Sequence, residues 1–213
     1  MTNRKHNGLD QLIECADNAL LTLFARPKGT RKSPSSSLDE PLLNNTERKL
    51  SASLMRVNHA GEVCAQALYQ GQALTAKLPE IREEMETAAA EEIDHLNWCD
   101  ERLEQLQSHT SYLNPFFYAG SFAIGAIAGA LSDRISLGFV AATEDQVCRH
   151  LDSHMGRLPQ ADSKSLAIVD QMRIDEEEHQ AAALQAGGIE FPPGVKKIMA
   201  KVSVVMTETS SRI

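Results

Sequence analysis

Two short stretches, Glu92-Ile93-Asp94-His95 and Glu176-Glu177-Glu178-His179, each set a carboxylate and an imidazole three residues apart. On an α-helix that spacing puts both side chains on one face, with Cβ atoms about 5–6 Å apart, so each pair is a pincer for a cation. A further glutamate precedes each pincer, Glu62 by thirty residues and Glu144 by thirty-two, so the order repeats and reads as an internal duplication of a helix pair. Glu62, Glu92, His95, Glu144, Glu176 and His179 are together the candidate ligands of a two-metal site inside a helical bundle.

The register of these residues is the stronger evidence. Alternating steps of three and four along the second pincer pass through Val169, Met172, Glu176, His179, Ala183 and Ala186, a core seam in which Glu176 and His179 stand where leucine is expected. Glu144 interrupts an apolar stripe of Leu137, Val140, Ala141, Val147, Cys148 and Leu151 in the same way. A carboxylate buried there without a counter-charge is strongly destabilising. These seams offer no Lys or Arg at matching depth apart from Arg102 near a helix end, which leaves metal as the partner. Four glutamates neutralise two divalent cations, and a neutral cluster is tolerated in a low-dielectric interior. A mixed carboxylate and imidazole set with more ligands than a tetrahedron needs suits iron or manganese better than structural zinc.

The elements that must carry these residues are helices. Periodicity predicts a short amphipathic helix over 9–24, with Leu9, Leu12, Ile13, Ala16, Leu20 and Leu23 on one side, to pad the bundle or touch a partner. Long helices are expected over 47–77 with Glu62 beside the core, from Pro79 onward with Glu92 and His95, over 132–157 with Glu144, and over 159–186 with the second pincer, ended by Gly187-Gly188. Glu83, Glu84, Glu86, Glu91 and Asp94 are expected to face water, as runs of charge usually do. Trp98, His59 and His154 are expected to pack. The chain divides into an N-terminal segment over 1–46 and a main domain over 47–213.

Three stretches lie outside that set. Residues 26–37, rich in Pro, Ser, Lys and Arg, read as a solvated linker, and the basic cluster Arg26, Lys28, Arg31 and Lys32 gives it a second reading as a contact for anionic lipid head groups. The most apolar segment, 115–131, is interrupted by Gly120, Gly125 and Gly129; it is short for a spanning helix, and a buried helix and a membrane-dipping hairpin both remain open. After Pro192-Pro193 the tail sets Val195, Ile198, Met199, Val202, Val205 and Met206 on one face with Lys196, Lys197 and Lys201 beside it, a pattern that fits either packing on the bundle or lying on a membrane surface.

Composition agrees with one all-α domain: 213 residues, 42% hydrophobic but only 5% aromatic. A net charge of −8 excludes a general nucleic-acid binder. Cys15, Cys64, Cys99 and Cys148 form no CxxC pair, which points to a reducing compartment. The N-terminus has no apolar signal core, and Asp10, Glu14 and Asp17 make a poor mitochondrial presequence, so export is not expected.

The ligand order is the one that ferritin-like di-iron and di-manganese carboxylate proteins use, one Glu from each of two helices and Glu-x-x-His from each of the others. Asn58-His59-Ala60-Gly61-Glu62, Glu91-Glu92-Ile93-Asp94-His95-Leu96 and Asp175-Glu176-Glu177-Glu178-His179, with the glycine-rich apolar helix, closely resemble the demethoxyubiquinone hydroxylase family from about residue 50 to the C-terminus. The resemblance implies a ferritin-like four-helix bundle with an added hydrophobic helix and a C-terminal amphipathic helix. It implies two iron ions on the six ligands, O2 as co-substrate, and hydroxylation of the ring of 2-polyprenyl-3-methyl-6-methoxy-1,4-benzoquinol in ubiquinone synthesis. It implies also a peripheral place on the cytoplasmic side of a bacterial inner membrane, among other ubiquinone-biosynthesis proteins. No catalytic side chain is expected beyond the ligands, with His150 hydrogen-bonded behind them; Leu151 stands where the family has Tyr, and the tail likewise has none. The competing function within this fold class is iron storage or peroxide detoxification.

Overall fold

The computed structural model describes residues 8–25 and 29–213. Among them are seven helices and no strand: α1 (Gly8–Phe24), α2 (Asn45–Thr75), α3 (Pro79–Gln105), α4 (Asn114–Leu131), α5 (Asp133–Arg157), α6 (Ser163–Gln185) and α7 (Pro193–Ser210). The local chemistry sets their limits. Asn44 caps α2 by accepting from the Thr46 and Glu47 amides, while Glu47 accepts from the Asn44 amide in return. Ser132 and Asp162 cap α5 and α6. Gly187, at φ 102°, ends α6, and the Gly188 amide bonds back to the Ala183 carbonyl.

The fold is a ferritin-like four-helix bundle of α2, α3, α5 and α6. Its core falls into two apolar clusters. One joins Leu54 and Met55 of α2, Leu103 of α3, Leu151 of α5, and Ile168 and Met172 of α6. The other joins Tyr69 and Ala73 of α2, Met85 of α3, Leu137 and Val140 of α5, and Ala183 of α6. On every one of the four helices the candidate ligands lie between the two. The sharing of ends shows that α2 and α6 run one way and α3 and α5 the other, so α4 is the helical crossover that returns the chain along α2. The seam of α6 ends one step earlier than expected, since Ala186 is exposed.

Helix α4 is single and continuous, which excludes the hairpin. Glycine lets it touch α2 closely: a Cβ on Gly125 would lie 2.2 Å from the Leu68 carbonyl oxygen, and one on Gly71 2.3 Å from that of Phe122. Only 28% of α4 is buried, and by length and composition it passes for a membrane-crossing helix. Its outer side exposes Phe116, Ile127 and Leu131. Helix α7 lies along α2 and α5, with Lys196 paired to Asp145 at one end and the Ser211 carbonyl accepting from Ser53 and Arg56 at the other. It turns Ile198, Val202 and Val205 outward. Helix α1 packs through Ala19 and Leu23, while Ile13, Leu20 and Phe24 point away. The side chains of Leu9 and Leu12, and Arg26 and Lys28 of the basic cluster, lie outside the described residues.

Candidate metal centre

Each of the four core helices delivers its residues to the layer between the clusters. Glu62 comes from α2, Glu92 and His95 from α3, Glu144 from α5, and Glu176 and His179 from α6. All but His179 are at most 3% exposed, which is the condition under which an unpaired charge is most costly.

Glu62, Glu92, His95 and Glu176 each offer a ligand atom within 4.8 Å of the others. The two histidines stand on either side of a carboxylate pair. His95 Nδ1 is 3.0 Å from Glu92 Oε2 and 3.1 Å from Glu176 Oε1. His179 Nδ1 is 3.1 Å from Glu92 Oε1 and 3.0 Å from Glu176 Oε2. Glu92 and Glu176 therefore present one oxygen to each histidine, as carboxylates bridging two positions do. Glu62 closes the His95 side at 3.7 Å. Glu144 stands apart from the four, held by a 2.8 Å hydrogen bond from the Tyr69 hydroxyl, and its field is felt with that of Glu176, Glu92 and His179.

Burial above all pushes Glu62 well above the usual carboxylate range, helped by Glu92 and Glu176 and opposed by His95. Burial, then Glu176 and Glu92, do the same to Glu144, against His179 and Tyr69. Burial disfavours imidazolium, yet the carboxylates around His95 raise it well above its ordinary value and those around His179 raise it to about 12. Burial is outweighed at Glu92 too, where the two histidines hold the carboxyl below its usual range. The cluster demands positive charge, and protons on the imidazoles meet that demand when nothing else does.

Behind the ligands, His95 Nε2 donates to Asp175 at 2.8 Å and His179 Nε2 to Glu91 at 2.9 Å, which directs both Nδ1 atoms inward. Asp94 and Asp175 are the residues that the sequence reading missed. Asp94, expected to face water, is 1% exposed, because Thr30 and Arg31, expected in a solvated linker, instead bond to it. His150 makes no hydrogen bond to a ligand. Its Nε2 is buried without a partner among the described residues, and its ring packs on His154, 4.2 Å between centroids. It lines a cavity of about 40 Å³ between α2, α5 and α7 together with Gly61, Glu62 and Met206. A larger cleft of about 680 Å³ among α1, α2 and α3 reaches Tyr69 from the other side, between the polar side chains of Glu14, Gln70 and Arg82.

The donor set fits a metal. Among the described residues Glu62 Oε2 and Glu92 Oε1 are buried oxygens without a hydrogen bond of good geometry, and four carboxylates and two imidazoles are of the hard and intermediate type that iron or manganese accepts, with both Nδ1 atoms turned toward the carboxylates.

Comparison with known proteins agrees with this geometry. The family model described as ubiquinone biosynthesis protein COQ7 matches residues 49–210. The chain is 58% identical over 213 residues, covering all of this chain and 99% of the relative, to a protein of Stutzerimonas stutzeri named 3-demethoxyubiquinol 3-hydroxylase. Proteins of the same name from Ectopseudomonas mendocina and Pseudomonas aeruginosa are 57% and 56% identical, with 99% or more of both chains covered. With four helices delivering the repeated glutamate and Glu-x-x-His set to one buried layer, and with that match along its length, the chain belongs to the COQ7 family of ubiquinone biosynthesis proteins.

Proposed function

We propose that the protein is a di-iron monooxygenase that hydroxylates the ring of 2-polyprenyl-3-methyl-6-methoxy-1,4-benzoquinol with O2. The observation that carries this reading is the symmetrical placement of Glu92 and Glu176 between His95 and His179. Glu62 and His95 would hold one iron, Glu144 and His179 the other, and Glu92 and Glu176 both. Two ferrous ions held there supply two electrons to O2, which makes oxygen insertion into a ring available. One oxygen atom goes to the ring and the other to water, which consumes two protons, and the two electrons drawn from the ferrous pair must be restored before the next turnover. The chain has no GxGxxG fingerprint for a nucleotide, so reductant comes from outside or from the quinol.

The protein's own residues supply the rest. The apolar clusters above and below the layer exclude water, Tyr69 steadies Glu144, and Asp175 and Glu91 keep the imidazoles turned inward. The cavity beside Glu62 is the ring's approach; at about 40 Å³ it is far below the roughly 300 Å³ of a small ligand pocket, so α7 must shift to admit it. The outward apolar sides of α1, α4 and α7 support a peripheral seat on a bacterial inner membrane, cytoplasmic side, where a polyprenyl tail can stay in lipid. A soluble iron-storage shell has no use for such surfaces. The ferritin-like domain is residues 47–213, with 1–46 the N-terminal segment laid against it, and other ubiquinone-biosynthesis proteins are its expected neighbours.

The test is anaerobic loading with ferrous ion, addition of demethoxyubiquinol and O2, and mass spectrometry of the quinol. A gain of one oxygen atom is expected. No gain from fully loaded protein overturns the proposal in favour of storage or peroxide removal.

A further inference from the structure

The segment joining α1 to α2 reaches the back of the site. Gly29 comes so near α3 that a Cβ there would lie 2.3 Å from Asp94 Oδ1. Thr30 gives its amide and its hydroxyl to the two Asp94 oxygens at 2.6 and 2.9 Å. Arg31 adds its amide and Nε, both at 3.1 Å. Its guanidinium lies 4.9 Å over the Trp98 ring, and Nη2 reaches Asp175 Oδ2 at 2.8 Å. That oxygen is the one accepting from His95 Nε2. Further on, Glu40 pairs with the buried Arg102 of α3 at 2.8 Å and with Lys164 of α6 at 2.9 Å. Residues 29–40 thus form a strap that ties α3 to α6 at two heights, and it precedes the stretch matched by the family model.

The strap bears on the ligands through Asp175, whose Oδ2 lies 2.8 Å from His95 Nε2, and through Arg31 Nη2 itself, 3.3 Å from the same nitrogen. An imidazole that donates from Nε2 to Asp175 must leave Nδ1 bare toward Glu92 and Glu176, so the position of Asp175 decides how His95 faces the layer. Gln171 donates to the other Asp175 oxygen at 2.9 Å, on the same helix, whereas Arg31 ties Asp175 to Asp94 of α3. Among the described residues no other Lys or Arg is paired with both Asp94 and Asp175.

We propose that Arg31 is a positioning residue of the metal centre: held on Asp94 and Trp98, it fixes Asp175 and through it the tautomer and aim of His95. The strap is then a working part of the site. This rests on reading the cluster as a metal centre, and the experiment separates the two.

The full-length protein, stripped of metal, is titrated anaerobically with ferrous ion by calorimetry and with cobalt(II) by visible absorption, and the metal-free forms are unfolded in urea. The unaltered chain must bind; if it takes up neither ion, the metal-centre reading fails whatever the variants do. Given binding, Arg31→Ala is expected to weaken the first ion about 10–100-fold, as loss of a partner behind a ligand does, and to shift the cobalt bands. Arg31→Lys, which keeps the charge but not the fork, should recover part of the loss. Affinity and spectrum unchanged in Arg31→Ala, with or without a lower urea midpoint, would make Arg31 a structural tie only and overturn the proposal. Should Arg31→Ala fail to fold, Arg31→Lys and Gly29→Ala decide: binding indistinguishable from the unaltered chain in both overturns it, and weakened binding in both supports it.

Discussion

The Tyr69 hydroxyl donates a 2.8 Å hydrogen bond to Glu144 Oε1, and both groups are buried. Glu144 is the candidate ligand standing apart from the tight cluster, so this bond holds it within reach of His179. Tyr69→Phe removes the donor and leaves a carboxylate oxygen without its partner, at a cost of about 1.5–3 kcal/mol for a bond to a charged group. We expect the second metal position to lose about tenfold or more in affinity while the first is little changed. Stepwise calorimetric titration with ferrous ion reads both.

Glu144→Leu sets charge against packing. Filling an apolar stripe with leucine should raise the urea midpoint of the metal-free protein, because a buried acid with nothing to neutralise it is removed. The same change should halve the bound metal, measured by elemental analysis, and abolish quinol hydroxylation. Full metal content in the variant would remove Glu144 from the ligand set.

Proton binding gives a pH signature. In the metal-free protein His179 keeps its proton up to about 12, against 6.5 for the free side chain, so the stability it contributes is whole below 6.5 and drains as pH rises toward 12. Glu62 and Glu144, raised above 4.5, lose stability in the same direction, whereas Glu92, held below 4.5, contributes above that value and fails on acidification. Thermal melts in chelator should therefore peak near about pH 4.5, decline above it and fall more steeply above about 6.5. Metal must expel the imidazole protons, so melts with saturating divalent metal should gain over the chelated ones as pH rises. A chelated midpoint that climbs above neutrality would contradict the assignment.

How far the sequence could be read follows from the range of each interaction. Spacing of three along one helix is local, so both pincers and their places on seams show without coordinates, as do the capping box at Asn44 and the stop at Gly187. Asp94 could not be read. With Glu83, Glu84, Glu86 and Glu91 it reads as one of a charge run, and what buries it, Thr30 and Arg31, lies more than sixty residues away. Asp175 was hidden likewise, since its role depends on His95 of another helix. The one available signal was an aspartate next to a ligand in each pincer. Helix α1 lies where the period puts it, yet of its described apolar side chains Leu23 packs while Ile13, Leu20 and Phe24 face outward, because period alone does not say what lies opposite.

The exposed apolar rows predict lipid binding. Replacing Ile198, Val202 and Val205 together with glutamate should cut sedimentation with anionic vesicles sharply while metal content stays near that of the unaltered chain, since none of the three lies on the ligand layer. Loss of metal together with lipid binding would show that α7 supports the centre itself.

Gly125→Val forces a branched side chain into the Leu68 backbone. Overpacking of this kind costs about 1–3 kcal/mol, and the urea midpoint should fall accordingly. A neutral result would mean that α4 can ride away from α2.

That contact between two bare backbones has one more implication. Moving α4 into a bilayer by itself would break the backbone contact between Gly125 and Leu68 and that between Phe122 and Gly71. Wherever α4 comes to rest against lipid, α2 rests with it, and Glu62 sits two turns from the touching point at Leu68. If α4 rests on lipid, two hydrogen atoms in place of side chains fix how far the ligand layer lies from the headgroups.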